Sequence, residues 1–80
     1  MLHFKLVCMN EHAKQILGER VEQMRKALGI SKVDFCVAVG ISRPYLDQIE
    51  SGKANSTLEI LFKLAPALGM TVSELLEGIE

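Results

Sequence analysis

KVDFCVAVGISRPYLDQIE, residues Lys32 to Glu50, reads as two short helices joined by a tight turn, with the second helix offered to a partner. Gly40 follows an apolar run and precedes Ile41-Ser42, where one helix must end and another begin. Glycine takes the left-handed conformation that closes a helix. Ser42 is a good N-cap, because its hydroxyl accepts a bond from the free amides of the next first turn. Pro44 fits that first turn, where no amide donor is needed. Phe35, Val39, Ile41, Leu46 and Ile49 fall at spacings that place them in the crotch between two helices and against a third.

A small residue at Cys36, a glycine four later, and branched apolar residues six and nine beyond the glycine suit two helices that cross too closely for a large side chain between them. The pattern resembles the Cro and phage-repressor-like, or xenobiotic-response-element type, helix-turn-helix family. The likeness runs from about Leu17 to Gly78, through LGERVEQMRKALGISK, SRPYLDQIESGK, LEILFKLAPALG and TVSELLEG. It implies an all-α, compact five-helix, lambda-repressor-like DNA-binding domain, with the helix-turn-helix at helices two and three. The function implied is a sequence-specific, DNA-binding transcriptional regulator: a dimeric repressor that inserts its third helix, about residues 43–51, into the major groove of a palindromic operator. A different reading is an interaction module, the antitoxin of a toxin pair that binds its protein partner and represses its own operon.

Eighty residues are expected to form one domain, small enough that dimerisation would help its marginal core. With 49% hydrophobic and 24% charged residues the chain is globular in composition, and with 5% aromatics its core must be mostly aliphatic. No apolar run approaches the roughly 20 residues of a membrane span, and the N-terminus lacks the layout of a signal peptide. Cys8 and Cys36 are read as thiols in a reducing cytoplasm. The net charge of −1 argues by itself against nucleic acid. Its distribution argues less: residues 1–56 hold eight Lys or Arg against six acids, whereas residues 57–80 hold one Lys against four Glu. The acidity lies away from the helix that would read DNA.

Residues 1–9 stand apart from a domain over 10–80. Leu2, Phe4, Leu6 and Cys8 alternate with a strand period, so the segment is either an arm that pairs with its copy or covers an apolar surface, or a disordered start with Met9 the original initiator. Asn10 caps a first helix running to about Gly29, with Leu17, Val21, Met24 and Leu28 on one face. In the family the residues matching Arg25 and Glu50 form a partly buried ion pair, and the resemblance implies one here; the alternative is a solvated pair worth under about 1 kcal/mol. Ser31 caps a second helix over about 32–39, although VDFCVAV is so β-branched that propensity alone predicts a strand. Val33 and Val37 fall where the family usually shows polar residues, either as an apolar patch for a partner or as ordinary partial exposure. Ser56 or Thr57 caps a fourth helix with Leu58, Leu61, Leu64, Ala65 and Leu68 inside, and Pro66 is expected to kink its last turn. Thr71 and Glu74 make a capping box for a fifth. Val72, Leu75, Leu76 and Ile79 there exceed what one small core absorbs, and the family often uses this region as its dimer contact.

Enzyme chemistry finds no support. No nucleotide loop or paired catalytic carboxylates appear, Ser42 has no motif-linked base, and His3, Cys8 and His12 are a thin set of metal ligands without CxxC spacing. No cofactor is expected. A helix that enters the major groove by its N-terminal end presents Ser42, Arg43, Pro44, Asp47 and Gln48 to base edges. Arg43 suits the two acceptors of guanine, Gln48 suits adenine, and Pro44 suits a thymine methyl. Asp47 either accepts from cytosine or repels phosphate and so tunes specificity. Lys32, Tyr45, Lys53 and Asn55 are candidates for the DNA backbone, with Tyr45 alternatively packed on helix two.

Overall fold

The computed structural model describes residues 10–79, so the expectations placed on 1–9 lie outside the described residues. Five helices follow in order: α1 Glu11–Ala27, α2 Lys32–Val39, α3 Arg43–Glu50, α4 Leu58–Ala67 and α5 Val72–Leu75. No strand occurs among the described residues.

Local hydrogen bonds explain where each helix starts. Ala13 N donates to Asn10 Oδ1 at 2.7 Å, Asp34 N to Ser31 Oγ at 3.1 Å, and Tyr45 N to Ser42 Oγ at 3.2 Å. Each satisfies one of the orphan amides at a helix N-terminus. Thr57, not Ser56, caps α4, with Ile60 N donating to its Oγ1 at 3.2 Å. Ser56 is instead buried, and its hydroxyl has no hydrogen-bond partner among the described residues. At α5 the reciprocal capping box is complete: Glu74 N donates to Thr71 Oγ1 at 3.1 Å, and Thr71 N to Glu74 Oε1 at 2.9 Å.

Between α2 and α3, Gly40 takes φ 83° and donates its N–H to Cys36 O at 2.8 Å. That closure lets the chain reverse in three residues. The helix is α-helical despite its β-branched sequence, because Phe35, Cys36 and Val39 are buried in the common core while Ser31 and Gly40 cap both ends. Tertiary burial outweighs a propensity difference of a few tenths of a kcal/mol per residue.

Helix α1 packs against α3, and α2 packs against both α3 and α4. The core holds Leu17 and Val21 from α1, Phe35 from α2, Leu46 and Ile49 from α3, and Leu61, Leu64 and Leu68 from the α4 region. Gly18 is what lets α1 approach the end of α3. A Cβ there would run into Ile49 O and come within 3.0 Å of Glu50 O and 3.1 Å of Gly52 N.

Three expectations about apolar faces are corrected. Leu28 is exposed, because the buried row on α1 steps by four through Ala13, Leu17, Val21 and Arg25, and Leu28 is the C-cap beyond it. Leu58, at the first position of α4, is exposed together with Phe62 one turn on; the inner row begins at Leu61. Leu75 is completely buried within this one chain. It is therefore core, and only the half-buried Val72, Leu76 and Ile79 around it remain of the expected dimer contact. Pro66 sits inside α4, which continues only one residue past it to Ala67.

Candidate nucleic-acid interface

Helix α3 has two faces. Leu46 and Ile49 are buried, whereas Ser42, Arg43, Pro44, Asp47 and Gln48 are exposed. Residues 43, 44, 47 and 48 lie four apart in pairs, which is one side of a helix, and Pro44 sits in the first turn, where its missing N–H costs no intrahelical bond. Lys32 opens α2 on the neighbouring element, and Lys53 and Asn55 follow α3 on exposed backbone. Tyr45 is half-buried and packs against the core. The five residues expected to read bases thus share one surface with Lys32 at its edge, while Tyr45 turns toward the interior.

Behind this surface an ion-pair ladder links three helices. Arg25 Nε donates to Glu50 Oε2 at 2.8 Å, Arg25 Nη2 to Glu50 Oε1 at 3.3 Å, and Arg25 Nη1 to Ile30 O at 2.8 Å. The two side chains are only 7% and 5% exposed, so this is a buried, forked pair and not a solvated one. The hydrogen bond that Arg25 donates to Glu50 raises the affinity of the guanidinium for its proton above the ordinary value, against the opposing effect of burial. Since α1 carries Arg25 and α3 carries Glu50, the pair ties α3 to α1.

The ladder continues outward. Lys32 Nζ lies 4.0 Å from Glu50 Oε1 and 3.1 Å from Asp47 Oδ1, and Arg43 Nε lies 3.8 Å from that same Asp47 oxygen. Asp47 and Arg43 are about half exposed, and Lys32 is more covered. Two positive side chains suited to an anionic ligand are therefore gathered on one carboxylate.

Sequence reasoning overlooked two residues and one ion pair. Arg20 Nη1 donates to Leu75 O at 2.8 Å and to Glu77 O at 2.7 Å, tying α1 to the C-terminal end of α5. A cation on helix-end carbonyls is favourable, but a partner 55 residues away leaves no local trace. Gly18 lay within the quoted resemblance without a role, and only the approach of α3 reveals one. The Lys32–Asp47 bridge crosses the turn between two helices and was likewise illegible. Among the described residues no three His, Cys, Asp or Glu side chains gather to hold a metal ion, and no helix is long and apolar enough to cross a membrane. His3 and Cys8 lie outside the described residues.

Comparison with known proteins agrees with this geometry. The family model described as Helix-turn-helix matches residues 21–75. The HTH-type transcriptional regulator DdrOP3 of Deinococcus deserti is 44% identical over 64 residues, which is 80% of this chain and 50% of that protein. The chain thus spans half the length of that relative. Among solved structures, the restriction-modification controller protein C.AhdI from Aeromonas hydrophila superposes with a TM-score of 0.73 at 32% identity, covering 78% of this chain and 94% of that one. The master regulator for biofilm formation SinR, solved in complex with DNA, gives 0.71 at 31% identity, covering 76% and 98%. With more than half of its length matched by the family and its fold shared with two such regulators, the chain belongs to the Cro and phage-repressor-like, xenobiotic-response-element type, family of helix-turn-helix transcriptional regulators.

Proposed function

We propose that this chain is a sequence-specific, DNA-binding transcriptional regulator that acts as a dimer and represses by occupying a palindromic operator. The observation that carries the reading is the two-faced helix α3: its buried side is anchored by Leu46, Ile49 and the Glu50–Arg25 fork, and its other side exposes Arg43, Pro44, Asp47 and Gln48. A rigidly held helix with long polar side chains on its open face is what major-groove readout needs. Lys53 and Asn55 flank the face and hold the phosphate backbone, while Lys32 stands at its edge against Asp47. The family's dimer region corresponds to α5, where Val72, Leu76 and Ile79 keep apolar surface beside the buried Leu75; a symmetric pairing there covers it. The relative solved with DNA supports the partner class.

Selection of duplexes from a random library by the purified chain tests the reading. Enriched sequences should contain inverted half-sites about 10 base pairs apart, centre to centre, and sedimentation should show two chains on each duplex. Recovery of a random population, or of sites without inversion, refutes it.

One observation favours a protein partner in addition. Val33 and Val37 are 59% and 78% exposed one turn apart on α2, and α4, which packs on α2, exposes Leu58 and Phe62. In the antitoxin reading a second protein covers these side chains, and co-purification from the source cell yields it in stoichiometric amount. The chain recovered alone refutes that reading.

A further inference from the structure

Asp47 is an acidic side chain on a face that otherwise suits an anion, so it opposes any phosphate that approaches. It does not stand alone. Its Oδ1 lies 3.1 Å from Lys32 Nζ, on the preceding helix, and 3.8 Å from Arg43 Nε, one turn earlier on its own helix. The other nearby carboxylate, Glu50, is already forked by Arg25, and its distance to Lys32 is 4.0 Å. Two cations thus depend on one available anion.

From this arrangement we infer that Asp47 is a specificity-setting residue: in the free protein it holds Lys32 and Arg43 against itself, and so withholds Lys32 from phosphates and releases Arg43 only to duplexes that offer it a matching base. The inference rests on the DNA-binding reading and deepens it. On a random duplex a phosphate must compete with Asp47 for Lys32, and the carboxylate itself resists approach. On a matched duplex Arg43 exchanges a 3.8 Å contact, too long for a hydrogen bond, for two hydrogen bonds to guanine N7 and O6. Asp47 then remains neutralised by Lys32, whose position on a separate helix does not depend on where Arg43 turns. The carboxylate therefore weakens the wrong complex more than the right one, which is how discrimination against competitors is built.

Anisotropy titrations of a random-sequence duplex at several salt concentrations test the inference, using the wild type, Asp47→Asn, Asp47→Glu, Lys32→Ala and the double variant Lys32→Ala/Asp47→Asn. Because half-exposed ion pairs are weak, Asp47→Asn is expected to tighten random-duplex binding by about two- to five-fold. It should also steepen the dependence of log affinity on log salt by about one per chain, as Lys32 becomes free for a phosphate. Asp47→Glu should keep the wild-type slope, and in the Lys32→Ala background Asp47→Asn should leave the slope where it was. If Asp47→Asn leaves random-duplex binding unchanged or weaker while the wild type binds normally, the inference alone is overturned. A slope change that persists without Lys32 also overturns it, because the carboxylate would then act directly on phosphate. A folded wild type that binds no duplex at low salt overturns the DNA-binding reading and this inference with it.

Discussion

Replacing either member of the Arg25–Glu50 fork probes what holds α3 in place. The side chains are 7% and 5% exposed and share bonds of 2.8 and 3.3 Å. Removing one partner leaves the other charge buried without its counterion, which typically costs about 3–5 kcal/mol. For 80 residues the whole stability is on the order of 4–12 kcal/mol, so a single substitution should remove a large share of it. At about 4–8 °C of melting temperature per kcal/mol for a domain of this size, the loss reads as roughly 12 °C or more. The two variants should differ. After Arg25→Ala, Lys32 at 4.0 Å is placed to take over the Glu50 carboxylate. After Glu50→Ala, the Arg25 guanidinium keeps its hydrogen bond to the carbonyl of Ile30, 2.8 Å away, and the longer-range attraction of Glu22, neither of which replaces a forked counterion. Glu50→Ala is therefore expected to be the more damaging, and the double variant less damaging than the sum of the two by about 2 kcal/mol. Chemical denaturation with a double-mutant cycle measures all three. Small additive losses, each under about 1 kcal/mol, would show that the fork is solvated in solution and that the reasoning from burial is wrong.

Gly18→Ala should destabilise by about 1–3 kcal/mol, because its methyl would meet Ile49 O across the α1–α3 crossing; a thermal melt within a degree of wild type would mean that the helices part without cost. Arg20→Ala removes both of the guanidinium's bonds to Leu75 O and Glu77 O and should cost about 1–3 kcal/mol, with amide exchange accelerating first around 76–79; uniform acceleration along the chain contradicts a local tie. Arg43→Ala and Gln48→Ala should lose about 1–3 kcal/mol on the selected operator while relaxing preference at one or two positions. Lys53→Ala should instead weaken operator and random duplex together, so identical behaviour of all three variants would remove the distinction between reading and holding.

Both ends of α2 and the starts of α3 and α5 were legible from sequence because each rests on groups three or four residues apart: Ser31 with Asp34 N, Gly40 with Cys36 O, Ser42 with Tyr45 N, Thr71 with Glu74. Such bonds depend on local order alone, so residue type and spacing reveal them. The exposed row of α3 was legible for the same reason, since Leu46 and Ile49 mark the inner side and a helix has only one opposite side. What the chain could not show by itself is which of several adequate apolar residues the core would accept. Leu28 and Leu58 carry the same side chain as Leu17 and Leu61, yet lie outside because their elements end or begin at those points. Leu75 went inward because α5 packs against α4 within one chain. The helical state of α2, against its β-branched composition, was likewise decided by burial of Phe35 and Val39. The ties of Arg20 to Leu75, Gly18 to Ile49, and Lys32 to Asp47 join positions 55, 31 and 15 apart. Only the packed fold brings such groups together, because no rule of local spacing relates residues on different helices.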